Sequence, residues 1–222
     1  MKKFWFILAA SVLVLGTAGF AGADQLITAA DIPGGYLNSV TITGYASISS
    51  GPGGLDTKTV AGWTGIGVHG GSVDGEIDVN GGRGEWVAID YAQPQVIDYI
   101  TIGFLFKMPA YGDAVNEAAV FGTSGLMGVL TVTGATTATW NGSGSVTNLS
   151  PGLDGYAGVW RIDDPFGVNV QQLTFRPYDY SSEPQDSRNS DFSIVAVKTP
   201  EPLTMILLGL GLVGLVGFRR KN

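Results

Sequence analysis

Glu85-Trp86-Val87-Ala88-Ile89-Asp90-Tyr91-Ala92-Gln93-Pro94-Gln95-Val96-Ile97-Asp98-Tyr99-Ile100-Thr101-Ile102 reads as strand, turn, strand. Apolar and polar side chains alternate from Glu85 to Tyr91, which puts Val87, Ile89 and Tyr91 on one face of a half-buried strand. Gln93-Pro94-Gln95 is expected to turn, because proline fixes φ and removes a donor from any ladder. Val96–Phe106 is more continuously apolar, which predicts a central strand covered on both faces.

Outward from this stretch, short β-rich runs recur between glycine and asparagine clusters. They are Ser39–Ile48, Gly65–Val68, Gly75–Val79, Glu85–Tyr91, Val96–Phe106, Ala118–Phe121, Val129–Thr133, Thr137–Trp140, Val159–Ile162, Val170–Pro177 and Phe192–Val197, about eleven strands. No segment between Asp24 and Lys198 shows sustained helical periodicity, though Asp113–Glu117 is expected to make one helical turn. The fold class is therefore all-β: an antiparallel β-sandwich of jelly-roll type over residues 24–198. The 34 glycines suit it, since tight turns need positive φ. The order of elements, an acidic strand Gly75-Glu76-Ile77-Asp78, then Glu85–Tyr91, a turn, and the Ile/Val-rich Val96–Ile102, is similar to the galactose-binding-like jelly roll of discoidin-type and carbohydrate-binding modules. That resemblance implies sugar binding through loops at one end and carries over no individual residue.

Both ends read as addresses. Met1-Lys2-Lys3, an apolar run through Leu15 and then Ala21-Gly22-Ala23 make a signal peptide over residues 1–23. Its helical core is too short for a comfortable membrane span, and signal peptidase is expected to cut after Ala23, with Ala21 and Ala23 as the small residues of the site. At the other end, Pro200-Glu201-Pro202 precedes an apolar stretch, Leu203–Phe218, and a basic cluster, Arg219-Arg220-Lys221. As a transmembrane helix this stretch would reach roughly 24 Å, short but workable in a bilayer. The basic cluster should stay cytoplasmic, which leaves Pro-Glu-Pro extended on the outer face of the inner membrane.

Pro200, Glu201, Pro202, the Leu/Gly-rich segment and Arg219-Arg220 together resemble the PEP-CTERM sorting signal, over residues 199–222. The resemblance implies recognition by an exosortase, a membrane-embedded cysteine protease/transpeptidase. It also implies processing of the tail and delivery to the cell surface, extracellular matrix or exopolysaccharide of a Gram-negative-type bacterium. A plain membrane anchor would leave Pro-Glu-Pro unexplained.

Between Asp24 and Thr199 the chain carries 18 acidic and 7 basic side chains, a net charge of −11. A domain so acidic repels phosphate backbones, which argues against nucleic-acid binding. The absence of cysteine excludes disulfides, thiol catalysis and cysteine-held metal, so an apolar core must hold the fold.

Asp74, Glu76, Asp78 and Asn80 alternate and would share one face of a strand, with Glu85 at the twelfth position counted from Asp74. Oxygen ligands so gathered suit a structural Ca²⁺, although Val79 stands where an EF-hand loop needs glycine. The alternative is a solvated acidic strand face. Asp113 and Glu117 are read as capping a loop in preference to binding a cation. His69, the single histidine, is read as a turn residue, since no Gly-x-Ser-x-Gly elbow accompanies it. The Gly-x-Gly-x-x-Gly matches at Gly65–Gly70 and Gly209–Gly214 lack a βαβ context. Trp63, Trp140, Trp160, Tyr178 and Tyr180 are candidates to stack on sugar rings, with Trp86 and Trp160 preferred as core.

These readings point to a non-enzymatic structural or carbohydrate-binding protein with no obligatory cofactor. Its expected partners are signal peptidase, exosortase, the membrane before processing, and exopolysaccharide. The alternative is a secreted glycan-active hydrolase on a β-sandwich, which would need two carboxylates across a cleft.

Overall fold

The computed structural model describes residues 24–71, 73–80, 83–110, 115–150, 158–178 and 190–200. The expectations for residues 1–23, Asp113, Tyr180 and the tail from Glu201 onward lie outside the described residues.

The described residues form sixteen strands and no α-helix. In chain order they are β1 (Gln25–Thr28), β2 (Ser39–Ile42), β3 (Ala46–Gly51), β4 (Leu55–Val60), β5 (Trp63–Val68), β6 (Val79–Asn80), β7 (Arg83–Gly84), β8 (Trp86–Gln95), β9 (Tyr99–Gly103), β10 (Ala118–Thr123), β11 (Leu126–Val132), β12 (Ala138–Trp140), β13 (Ser145–Asn148), β14 (Trp160–Asp163), β15 (Val170–Pro177) and β16 (Ser193–Thr199). One seven-stranded sheet runs β13-β14-β9-β16-β5-β4, with β1 also on β16, and the other runs β12-β11-β10-β15-β8-β3-β2. Consecutive strands β8, β9 and β10 pass from one sheet to the other and back, and so do β14, β15 and β16. The two sheets bury one shared cluster, with Ile48, Ile89, Phe121 and Phe175 from one and Ile66, Ile100, Ile162 and Ile194 from the other. The chain is thus an antiparallel β-sandwich. Each such fully buried side chain contributes about 1.5–3 kcal/mol, the main source of stability in a protein without disulfides.

The alternation in β8 places Val87, Ile89 and Tyr91 in the core, as expected, and β9 lies between β14 and β16, the central position its apolar run predicts. Most other boundaries shift by one to three residues, and four segments differ in kind. Ser39–Ile48 is a hairpin rather than one strand, because Gly44 takes φ +74° between β2 and β3. β8 continues through Gln93-Pro94-Gln95 instead of turning. Its register with β15 slips between Val170 and Gln172, so Pro94 meets no partner that would need its missing N–H. β9 stops at Gly103 because Phe104 has φ +69°, which ends a regular strand. Gly75–Val79 forms only single bridges, Val68 with Glu76 and Ile77 with Phe192, before the short β6. β1, β4, β7 and β13 were not anticipated. Of the expected turn at 113–117, Asn116 and Glu117 are irregular rather than helical. Glu117 is buried and accepts the Phe106 N–H on its carboxylate, so it ties a loop to the sandwich.

Candidate functional site

The acidic residues converge where the β4–β5 hairpin meets the segment after β5. Val68 accepts from the Gly75 amide at 2.9 Å and donates to the Glu76 carbonyl at 2.8 Å, so residues 69–75 loop back onto the end of β5. This closure requires glycine twice. A Cβ on Gly67 would collide with the Gly75 carbonyl group, and Gly75 itself has φ +81° against the backbone of Thr57 and Lys58.

Asp74 lies in the turn of this loop, exposed, and its Oδ1 accepts from the Gly70 amide at 2.8 Å. The same oxygen stands 3.0 Å from His69 Nδ1. Asp56, in β4 opposite Gly67, brings its Oδ2 to 3.4 Å from that nitrogen. The His69 ring is held from its far side by Tyr36, stacked at 3.7 Å between centroids.

Glu76 is buried and faces elsewhere: Lys58 Nζ reaches its carboxylate at 2.5 Å. Burial, and then the charge of Asp191, push the Glu76 carboxyl up to about 7 against the opposing pull of Lys58. Asp78 and Glu85, each 1 % exposed, face one another across the β6–β7 hairpin. The Asp78 amide donates to Glu85 Oε2 at 3.2 Å, and the Glu85 amide donates to the Asp78 carbonyl at 2.8 Å. Burial pushes the Glu85 carboxyl up to about 8; hydrogen bonding from the Asp78 backbone opposes this, while the Asp78 charge adds to it. Asn80 pairs through its backbone with Arg83.

The five residues expected to form one calcium cage therefore divide. Asp74 joins His69, Glu76 joins Lys58, and Asp78 joins Glu85. The expected single strand face does not exist, because Asp74 is a turn residue and the strand beyond it is only two residues long. Asp56 and His69 belong to the cluster and were not foreseen as ligand candidates. The signal that would have found them is β4, whose pairing with β5 brings Asp56 alongside the residues leading to His69.

The aromatic candidates among the described residues are mostly half-buried. Trp160 is buried and donates from Nε1 to the Leu105 carbonyl at 3.0 Å, as its core reading requires. Trp86 is only half-buried, lying against Gly51. Trp140 stacks on Phe121 at 4.6 Å, and Trp63 and Tyr178 are half-buried. Tyr36 is more exposed than any other aromatic side chain among the described residues. A separate groove of about 230 Å³ runs between the 105–110 loop, Asn148 and Trp160, and none of its described lining residues is a carboxylate.

Thr199, the last residue of β16, is buried and hydrogen-bonds through Oγ1 to the Tyr45 hydroxyl at 2.8 Å. Pro200 follows directly; Glu201, Pro202, Arg219 and Arg220 lie outside the described residues, as do Ala21 and Ala23. Among the described residues no helix is long and apolar enough to cross a membrane. No curated protein and no solved structure matches the chain. One family does: the PEP-CTERM protein-sorting motif matches residues 198–221, beginning in the last two residues of β16. The chain thus carries, from the end of its last β-strand onward, a PEP-CTERM protein-sorting motif.

Proposed function

We propose that the protein is exported, held for a time in the inner membrane by its C-terminal apolar segment, processed there by an exosortase, and delivered to the cell surface or extracellular matrix. The observation that carries this reading is the sorting motif at residues 198–221. Its Pro-Glu-Pro starts one residue after the last strand of the sandwich, so processing there would leave the strands whole.

In its destination the β-sandwich acts as a structural or carbohydrate-binding module associated with exopolysaccharide, without catalysis. A two-sheet β-sandwich is the architecture shared with galactose-binding-like modules, and this is the extent of the support for a sugar ligand. Weighing against a hydrolase is the arrangement of carboxylates. Asp78 and Glu85, the paired acids nearest each other in this loop, are both shut off from solvent, where a sugar chain does not reach them. A structural calcium would draw on the same acids, with Asp78 and Glu85 as its nearest pair.

Cell fractionation tests the sorting. In a host with exosortase the protein is expected at the surface or in the matrix, and in its exosortase-deficient sibling it is expected in the inner membrane. The same distribution in both strains would refute the reading.

A further inference from the structure

The β4–β5 hairpin and the turn after it bring together three donor atoms of the right chemistry. We propose that Asp56, His69 and Asp74 form a site for a divalent transition-metal ion of the zinc type, which takes Asp74 away from the calcium set expected of the neighbouring acids.

The two spacings from the histidine nitrogen are those of a coordination shell. Two ligand atoms each about 2.0–2.1 Å from a zinc ion stand about 3.4 Å apart at the tetrahedral angle and about 3.0 Å apart at a right angle. His69 Nδ1 lies 3.4 Å from Asp56 Oδ2 and 3.0 Å from Asp74 Oδ1. All three donor atoms lie within 4.8 Å of one another.

The histidine supplies the second, independent observation. Its Nδ1 is buried and has no hydrogen-bond partner, although two carboxylate oxygens lie within ion-pair range. Both oxygens thus lie close to a nitrogen whose hydrogen-bonding capacity is unused. A buried imidazole nitrogen left unpaired between two carboxylate oxygens is an arrangement that a shared cation completes.

The supports of the site fix its members in place. The Gly70 amide holds Asp74 Oδ1, the Thr57 amide donates to Asp56 Oδ1 at 2.7 Å and leaves Oδ2 for the site, and Tyr36 fixes the plane of the ring. The choice of ion follows from the donors. Calcium takes oxygen ligands, while one imidazole with two carboxylates suits zinc and its neighbours. Three protein ligands leave a fourth position to water or an external group. Asp74 is exposed and His69 partly so, which gives the ion a way in.

Zinc titration of the exported protein, purified without a polyhistidine tag and followed by calorimetry, tests the site. Wild-type protein is expected to bind one Zn²⁺ per chain, undisturbed by millimolar Ca²⁺. His69→Gln, Asp56→Asn and Asp74→Asn should each weaken binding by on the order of tenfold or more, and Asp163→Asn, on the far side of the sheet order, should not. Thermal melts identify any variant that fails to fold. Asp74, being exposed, is the substitution least able to disturb the fold, so its result decides. No zinc binding by the wild type, or wild-type affinity in Asp74→Asn, would overturn the proposal.

Discussion

The Asp78 amide donates to Glu85 Oε2 at 3.2 Å while both side chains are shut off from solvent, so two carboxyl groups share one dry compartment. Two negative charges are costly there, and burial holds a proton on Glu85 up to about pH 8, against an ordinary 4.5. Between those values the folded chain binds a proton that the unfolded chain has released. Stability contributed at low pH is therefore lost as pH rises from about 4.5 through 8. Glu76, raised to about 7, acts in the same direction over a narrower window. Glu85→Gln, which mimics the protonated acid, should flatten the dependence, whose slope for one carboxyl approaches about 1.4 kcal/mol per pH unit. Urea midpoints of both proteins at pH 5.5 and 8.5 measure it, and parallel pH profiles would contradict the shared compartment.

The close crossing of Gly67 and Gly75 predicts a sharp contrast between two glycines of one hairpin. Gly67→Ala drives a methyl into the Gly75 carbonyl group and should destabilise by about 3 kcal/mol. Gly62, at φ +84° with open space around it, should lose only about 1 kcal/mol on replacement by alanine. Equal costs in chemical denaturation would mean that the loop after β5 does not close as described.

Phe121 lies between Trp140, stacked at 4.6 Å, and Phe175, at 5.6 Å. Phe121→Ala should cost about 3–5 kcal/mol through lost burial and the cavity left behind. It should also shift the emission of Trp140 to longer wavelength, since the ring loses its apolar cover. Denaturation and fluorescence on the same samples check both.

The export reading makes its own demand at the other end of the chain. Replacing Ala23 with a bulky residue such as phenylalanine should block cleavage, because signal peptidase accepts small side chains there. Edman sequencing of protein from cells should find Asp24 first in the wild type and Met1 in the variant.

Much of the sandwich was legible where chemistry is repetitive. Val170–Pro177 was read with its observed bounds, and the alternation of Glu85–Tyr91 placed three core residues correctly. β4 was illegible for a physical reason: Leu55-Asp56-Thr57-Lys58-Thr59-Val60 is mostly polar because much of the strand is exposed, at the edge of its sheet. That omission concealed the acid–histidine cluster, since Asp56 and His69 are thirteen positions apart and meet only through the β4–β5 pairing. The acids from Asp74 to Glu85 were visible as a group, but their partition was not. It depends on Lys58 reaching back to Glu76 and on a two-residue hairpin turning Glu85 toward Asp78. The tail needed no fold to be recognised, because its Pro-Glu-Pro, apolar run and arginines are contiguous.

The central claim is that the tail is a processing signal and not a permanent anchor. Intact mass of the protein from an exosortase-bearing host and from a host without the enzyme tests it most directly. The account predicts a mature chain lacking Leu203–Asn222 in the first and the full tail in the second. Glu201→Ala, or deletion of Pro200–Pro202, should give the retained form even in the competent host. A full-length tail on the wild-type protein from the exosortase-bearing host would contradict the account.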